Sequence, residues 1–117
     1  MTISNLGLWL QSKGFQVHIH SNNKISFYHT SERAEGGYMV YAVDINTKGA
    51  PNPYLDREFV SCTLSGPKFD ARTGVIIEPV VIGSWTTASG ALTGILPKIA
   101  TARKNYAENA KKFFSKR

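Results

Sequence analysis

One cysteine, Cys62, is all that this 117-residue chain contains, which excludes an internal disulfide and a cysteine-built zinc site. Long apolar runs are missing as well. The longest, Val75 to Ile82, is interrupted by Glu78 and Pro79 and falls far short of a membrane span. No basic stretch followed by an apolar run opens the chain, and no Asn-x-Ser/Thr sequon occurs. These absences predict a soluble intracellular protein of cytoplasmic location. Repeats and low-complexity tracts are lacking too, and an apolar fraction of 42% is ordinary for a globular protein. Residues 1–117 therefore read as a single compact domain with no linker and one core.

Acidic residues are scarce where basic ones are dense. Residues 1–96 hold seven of each sign and sum to zero, whereas Pro97 to Arg117 hold seven basic residues and only Glu108. The whole net charge of +6 thus lies at one end, a local field that favours an anionic partner.

Hydrophobic periodicity supplies the elements. Ile3, Leu6, Trp9 and Leu10 recur at helical spacing, and Lys13-Gly14 provides a stop, which predicts a short helix over 4–13. Phe15, Val17 and Ile19 then alternate with Gln16, His18 and His20, and Ile25 to His29 alternates again after a turn at Asn22-Asn23. Thr30 to Gly37 reads as an exposed loop, Tyr38 to Ile45 as a third strand and Asn46 to Asp56 as a second loop. Glu58 to Leu64 is a fourth strand with Val60, Cys62 and Leu64 inward, and Ser65 to Gly74 is a long turn. Val75 to Ile82 resembles a strand covered on both faces, with Pro79 implying a bulge or an edge. The stripe Ile95, Ile99, Ala102, Tyr106, Ala110 and Phe113 predicts a helix, with Pro97 suited to its first turn. Gly83 to Gly94 reads equally as loop or as an extra turn of helix. The order predicts an α+β fold: about five antiparallel strands in a meander sheet, with a short N-terminal and a longer basic C-terminal helix packed on it.

Lys98, Lys104, Lys111 and Lys112 fall away from the apolar stripe, Arg103 lies at its border, and Lys116 and Arg117 follow it. A helix of this kind can dock its apolar side on a sheet and turn cations towards phosphates. The plainer role of the same lysines is to solubilise an exposed face and complement the helix C-terminus. Phe113 and Phe114 beside lysines also suit a membrane surface, but one short amphipathic helix is a weak anchor.

Aromatic residues (Phe27, Tyr28, Tyr38, Tyr41, Phe59, Phe69) sit on or beside the strands. Single-strand binders combine rings on a sheet with basic surroundings, which makes Phe27, Phe59 and Phe69 candidate stacking platforms and Lys68 and Arg72 candidate second contacts. Core packing is the plainer role of each ring.

The only metal candidates are His18, His20 and His29, and register argues against them. A two-residue turn at Asn22-Asn23 pairs His20 with Ile25 and His18 with Phe27, leaving His29 across from Gln16, so the rings spread along the face. Exposed histidines of this kind assist anion binding when protonated. The acids Asp44, Glu58, Asp70 and Glu78 are isolated, Cys62 faces inward, and the hydroxyls around Trp85 resemble helix caps. The run from Gly83 to Gly90 lacks the Lys-Ser/Thr of a phosphate loop, although Gly83, Gly90 and Gly94 leave room for an anion at a helix N-terminus. No cofactor is implied.

Together these observations predict a small non-catalytic nucleic-acid-binding protein. It would contact backbone or single strands with low sequence specificity, through the basic helix and the sheet aromatics. The alternative is a protein-interaction module, an inhibitor or adaptor that occupies an acidic or nucleic-acid-binding surface of a larger complex. Exposed strand edges offer a route to a homodimer.

Overall fold

The computed structural model describes residues 3–21, 23–34, 37–47 and 59–115. Helix α1 (Ile3–Ser12) leads into β1 (Gln16–Ser21), β2 (Lys24–Tyr28), β3 (Arg33–Ala34), β4 (Gly37–Tyr38), β5 (Tyr41–Thr47), β6 (Phe59–Phe69) and β7 (Ile76–Trp85). Helix α2 (Ala88–Ser115) follows. The main sheet has the order β1-β2-β5-β6-β7 and is antiparallel throughout; β3 and β4 form a separate two-stranded ribbon. This is the expected α+β fold.

Pairing register gives the sheet one apolar face. Val17 lies opposite Phe27 and Phe27 opposite Tyr41; Ile25 meets Val43, Val43 meets Leu64 and Ile45 meets Cys62. Leu6 and Leu10 of α1 and Ala91, Ile95 and Ile99 of α2 join these residues in one core, so both helices cover that face. Helix α1 lies over β1 and β2, and α2 over β6 and β7. The other face carries His18, Ser26 and Ala42 in one row and Lys24, Asp44, Thr63 and Ser84 in the next. Neither described helix covers it.

Helix α1 ends as its sequence predicts. Gly14 has φ +93°, and its N–H and that of Phe15 donate to the Gln11 and Leu10 carbonyls, closing the last turn.

Several boundaries differ from the sequence expectations. His18 pairs with Ser26 and Ile19 with Ile25, because the register shifts at His20. A simple two-residue turn would set His20 against Ile25 and turn one strand's apolar set outward; one extra residue keeps both sets on the same face of the sheet. Asn22 of that turn lies outside the described residues. Thr30 to Gly37 is not a plain loop, since β3 and β4 form there, and the third strand starts at Tyr41.

Strand β6 runs on through Ser65, Gly66, Pro67 and Lys68, where a long turn is expected from the glycine and proline. Gly66 leaves the room the Tyr41 ring occupies, as a Cβ there would lie 2.5 Å from Tyr41 Cδ1. Pro67 falls at a register shift between Gly66 and Lys68, where its missing N–H breaks no ladder hydrogen bond. Strand β7 is an edge strand with one open face, so it is not covered on both sides: Val81 is 64% exposed. It carries the expected irregularity, with Pro79 after a cis Glu78–Pro79 peptide and two register shifts. The opposite edge, β1, is short and bulged. Irregularities of this kind oppose edge-to-edge pairing. The expected loop at Asn46 to Asp56 lies mostly outside the described residues, with Asn46 and Thr47 still in β5.

Helix α2 begins well before Pro97, which sits in its interior and not in its first turn. Thr87 caps it, with Oγ1 accepting the Gly90 N–H at 3.1 Å. The early start is set by packing, because Ala91 and Ile95 are fully buried on the sheet. That burial outweighs the hydrogen bond that proline removes.

Candidate functional site

The basic residues of α2 divide by environment. Lys98, Lys104, Lys111 and Lys112 are all exposed; Lys104 and Lys111, seven residues apart, share the side of the helix away from the buried Ile95 and Ile99, while Lys98, seven residues after the buried Ala91, flanks the covered face. Arg103 is turned inward at the border and forms an ion pair with Glu32, between β2 and β3. This pair ties α2 to the end of the sheet where β2 finishes and neutralises Arg103 as a phosphate ligand. Lys116 and Arg117 lie outside the described residues.

At 28 residues α2 is about 42 Å long, so it reaches from the end of β7 back to the β6–β7 turn. Three contacts hold its last turns there. Asn109 Nδ2 donates to the Phe69 carbonyl at 3.1 Å, and Phe69 meets Tyr106 and Phe113 edge-on at 5.6 and 5.8 Å. The Phe113 ring also fills the space beside Gly74, whose φ of +73° suits a residue without a Cβ.

Arg72, in the same turn, is exposed, and Lys68 is exposed at the end of β6. Two basic groups about forty residues apart in sequence, Lys68 with Arg72 and Lys111 with Lys112, therefore share one end of the molecule. The turn itself is ordered by Asp70, whose Oδ1 accepts the Arg72 N–H at 2.9 Å. That backbone hydrogen bond, with help from Thr73 and the Arg72 charge, holds the Asp70 carboxyl below the usual carboxylate range.

The expected stacking rings divide differently. Phe27 and Phe69 are each 1% exposed and belong to the core, so neither offers a ring face to a base. The strict alternation of β2 puts Phe27 inward, and the irregularity of β6 between Gly66 and Lys68 brings Phe69, five residues after the buried Leu64, onto the core face as well. Phe59 starts β6, with its side chain outside the described residues. Tyr28 and Tyr38, which the sequence offers only as members of the aromatic set, meet on the open side of the sheet. Their rings stack at 4.7 Å and 17°, and Tyr38 is 37% exposed. The one sequence signal for this pair is the alternation of Tyr28 with the buried Phe27.

Beside this pair, Gln16, Val17, His18, Ser26, Tyr28 and Val40 line a depression of about 330 Å³. A second hollow on the same face uses Val40, Ala42, Ser65, Gly66, Glu78 and Pro79. His18 and His20 lie edge to face at 4.5 Å, with His20 Nε2 2.7 Å from Ser26 Oγ. His29 is elsewhere, packed edge-on against Phe15 and bonded through Nδ1 to Ser31. Among the described residues, no three His, Cys, Asp or Glu side chains come together as a metal site.

Cys62 is fully buried, and burial together with the Asp44 charge pushes its thiol up to about 11, which leaves it an inert packing group. The room at Gly83 and Gly94 is taken by the Trp85 indole, which a Cβ at either position would overlap, so these glycines serve packing and do not expose a helix N-terminus. No helix among the described residues is long and apolar enough to cross a membrane. No family model, curated protein or solved structure matches this chain.

Proposed function

We propose that this protein is a non-catalytic nucleic-acid-binding protein that holds the phosphate backbone with low sequence specificity. The observation that supports this most is that Lys68 and Arg72 share one end of the molecule with Lys111 and Lys112. Lys104 lies about two turns back along the exposed side of α2. Cations fixed on a helix and a turn engage several phosphates without reading bases. The basic side of α2 and the open sheet face lie on opposite layers, so Lys98 and Lys104 act apart from the sheet, and only the basic end borders both.

Binding of this kind releases counterions. Affinity for short DNA or RNA, followed by fluorescence anisotropy, should therefore fall linearly with salt on logarithmic axes. Replacing Lys104, Lys111 and Lys112 by Gln should flatten the slope by about 0.7–0.9 for each phosphate that is no longer neutralised. Absent or salt-independent binding would refute the proposal. The protein-partner reading draws on the exposed Val40, Ile77 and Val81 of the open face. Purified protein free of nucleic acid that captures one acidic partner, with no affinity for oligonucleotides, would favour it.

A further inference from the structure

The half of the open sheet face built from β5, β6 and β7 is apolar, where a water-facing sheet is ordinarily polar. Val40 and Ile77 are each 45% exposed there and Val81 64%, and Pro79 is exposed between the last two. The residues beside them are small. Val81 lies opposite Ser65, and Ser65 opposite Ala42. These small side chains leave a hollow of about 230 Å³, lined by Val40, Ala42, Ser65, Gly66, Glu78 and Pro79. Raised and sunken parts thus lie side by side on one patch. Among the described residues its charges, Lys68 and Glu78, cancel.

We infer that this patch is the interface of a homodimer, in which two copies pack their open sheet faces together. A two-fold interface requires a patch that is complementary to itself. An axis crossing the strands at the level of the paired Gly66 and Val80 sets Val40 of one copy over Ala42 of the other, and Val81 over Pro79. Each copy's two exposed valines then enter the other's hollow.

Charge selects a second copy as the occupant. The net charge of +6 comes from residues 97–117, which put it on α2 in the opposite layer. In the pair the two basic helices are about 30 Å apart, well beyond a screening length of about 8 Å. The neutral patch offers nothing to a phosphate backbone, so this inference stands apart from the reading above. Area sets the strength. Strands β5, β6 and β7 present about 450 Å² of sheet per copy, which places the pair below the roughly 1,200 Å² of stable complexes. The dimer is therefore reversible and dissociates on dilution.

The test is sedimentation velocity of the full chain, stripped of nucleic acid, from about 5 to about 500 µM. The mean mass should climb reversibly from monomer towards dimer, and high salt should not suppress the rise. Val81→Asp places a charge in the interface from an exposed position and should weaken association about tenfold or more. Val40→Lys should do the same from a second strand, whereas Leu8→Asp, on the similarly exposed surface of α1, should change nothing. Circular dichroism melts establish that each variant keeps the fold. A monomer throughout the range overturns the inference. So does a dimer that Val81→Asp and Val40→Lys leave intact, or that Leu8→Asp weakens equally. An unlike protein held at this face by a chain that stays monomeric overturns it as well. Each of these results leaves the salt dependence of oligonucleotide binding, and with it the phosphate reading, untouched.

Discussion

The Phe113 ring occupies the space that a side chain on Gly74 would need, and this contact sets where the basic end of α2 lies. Gly74 closes its own turn by donating to the Asp70 carbonyl at 2.9 Å, in a left-handed conformation. Gly74→Ala therefore combines backbone strain with displacement of Phe113 from Phe69. The expected cost is about 1–3 kcal/mol in urea unfolding. Amide exchange should also quicken in residues 109–115 more than in the rest of α2, because the ring at the end of the helix can swing away while the core stays packed. Uniform quickening across the helix would show that Phe113 is not a separate anchor.

Gly66 presents the opposite case. The atoms that a Cβ there would meet belong to the Tyr41 ring, which is 1% exposed and packed against Phe27 at 6.0 Å. Tyr41 has nowhere to move. Gly66→Ala should therefore cost about 1–3 kcal/mol as overpacking, and pairing it with Tyr41→Leu should recover part of the stability. Chemical denaturation of the two single variants and the double variant measures the coupling; strict additivity would exclude the contact.

The elements were legible in the sequence wherever one physical signal dominated. Alternation placed Cys62 and Leu64 on the core, and the three- and four-residue spacing from Ile95 to Phe113 placed α2. Local rules failed where tertiary packing overrode them. Gly66 and Pro67 carry turn chemistry, yet the strand continues because one accommodates Tyr41 and the other sits at a register shift. Pro97 reads as a helix start, yet buried Ala91 and Ile95 hold the helix two turns earlier. The bulge at His20 is visible only when the two apolar alternations are required to share a face. At the candidate site, exposure of the lysines followed from their spacing. The Tyr28–Tyr38 stack and the packing of Phe113 beside Gly74 are long-range facts that no local pattern encodes.

The Arg103–Glu32 pair separates a structural cation from the candidate ligands. Arg103 is partly exposed, so the pair should contribute about 0.2–1 kcal/mol, measured by a double-mutant cycle with Arg103→Ala and Glu32→Ala. Its effect on binding is the more telling quantity. Arg103→Ala should leave nucleic-acid affinity nearly unchanged, whereas Glu32→Gln should raise it by releasing a cation, with a salt slope steeper by up to about 0.9. Equal losses of affinity from Arg103→Ala and from Lys104→Gln would show that Arg103 serves the ligand after all.

Alkaline pH should expose the cost of ionising two core groups. Burial raises the Tyr41 phenol to about 12, and burial with the Asp44 charge raises the Cys62 thiol to about 11. In the unfolded chain both titrate near their ordinary values, about 8.5 for the thiol and 10 for the phenol. Between the unfolded and folded values the unfolded state has given up a proton that the folded state keeps, so stability falls as pH rises. The contribution of Cys62 is full below its ordinary value and disappears as pH climbs through about 11; that of Tyr41 follows, ending near 12. Urea midpoints should thus decline across this alkaline window. Cys62→Ser removes the thiol contribution, and Tyr41→Phe the phenol contribution, so each variant should show a shallower decline despite its own change in baseline stability. Reaction of Cys62 with a thiol reagent at mildly alkaline pH should be slow in native protein and fast in denaturant. Rapid reaction of the native protein would place Cys62 in an accessible site and remove it from the core.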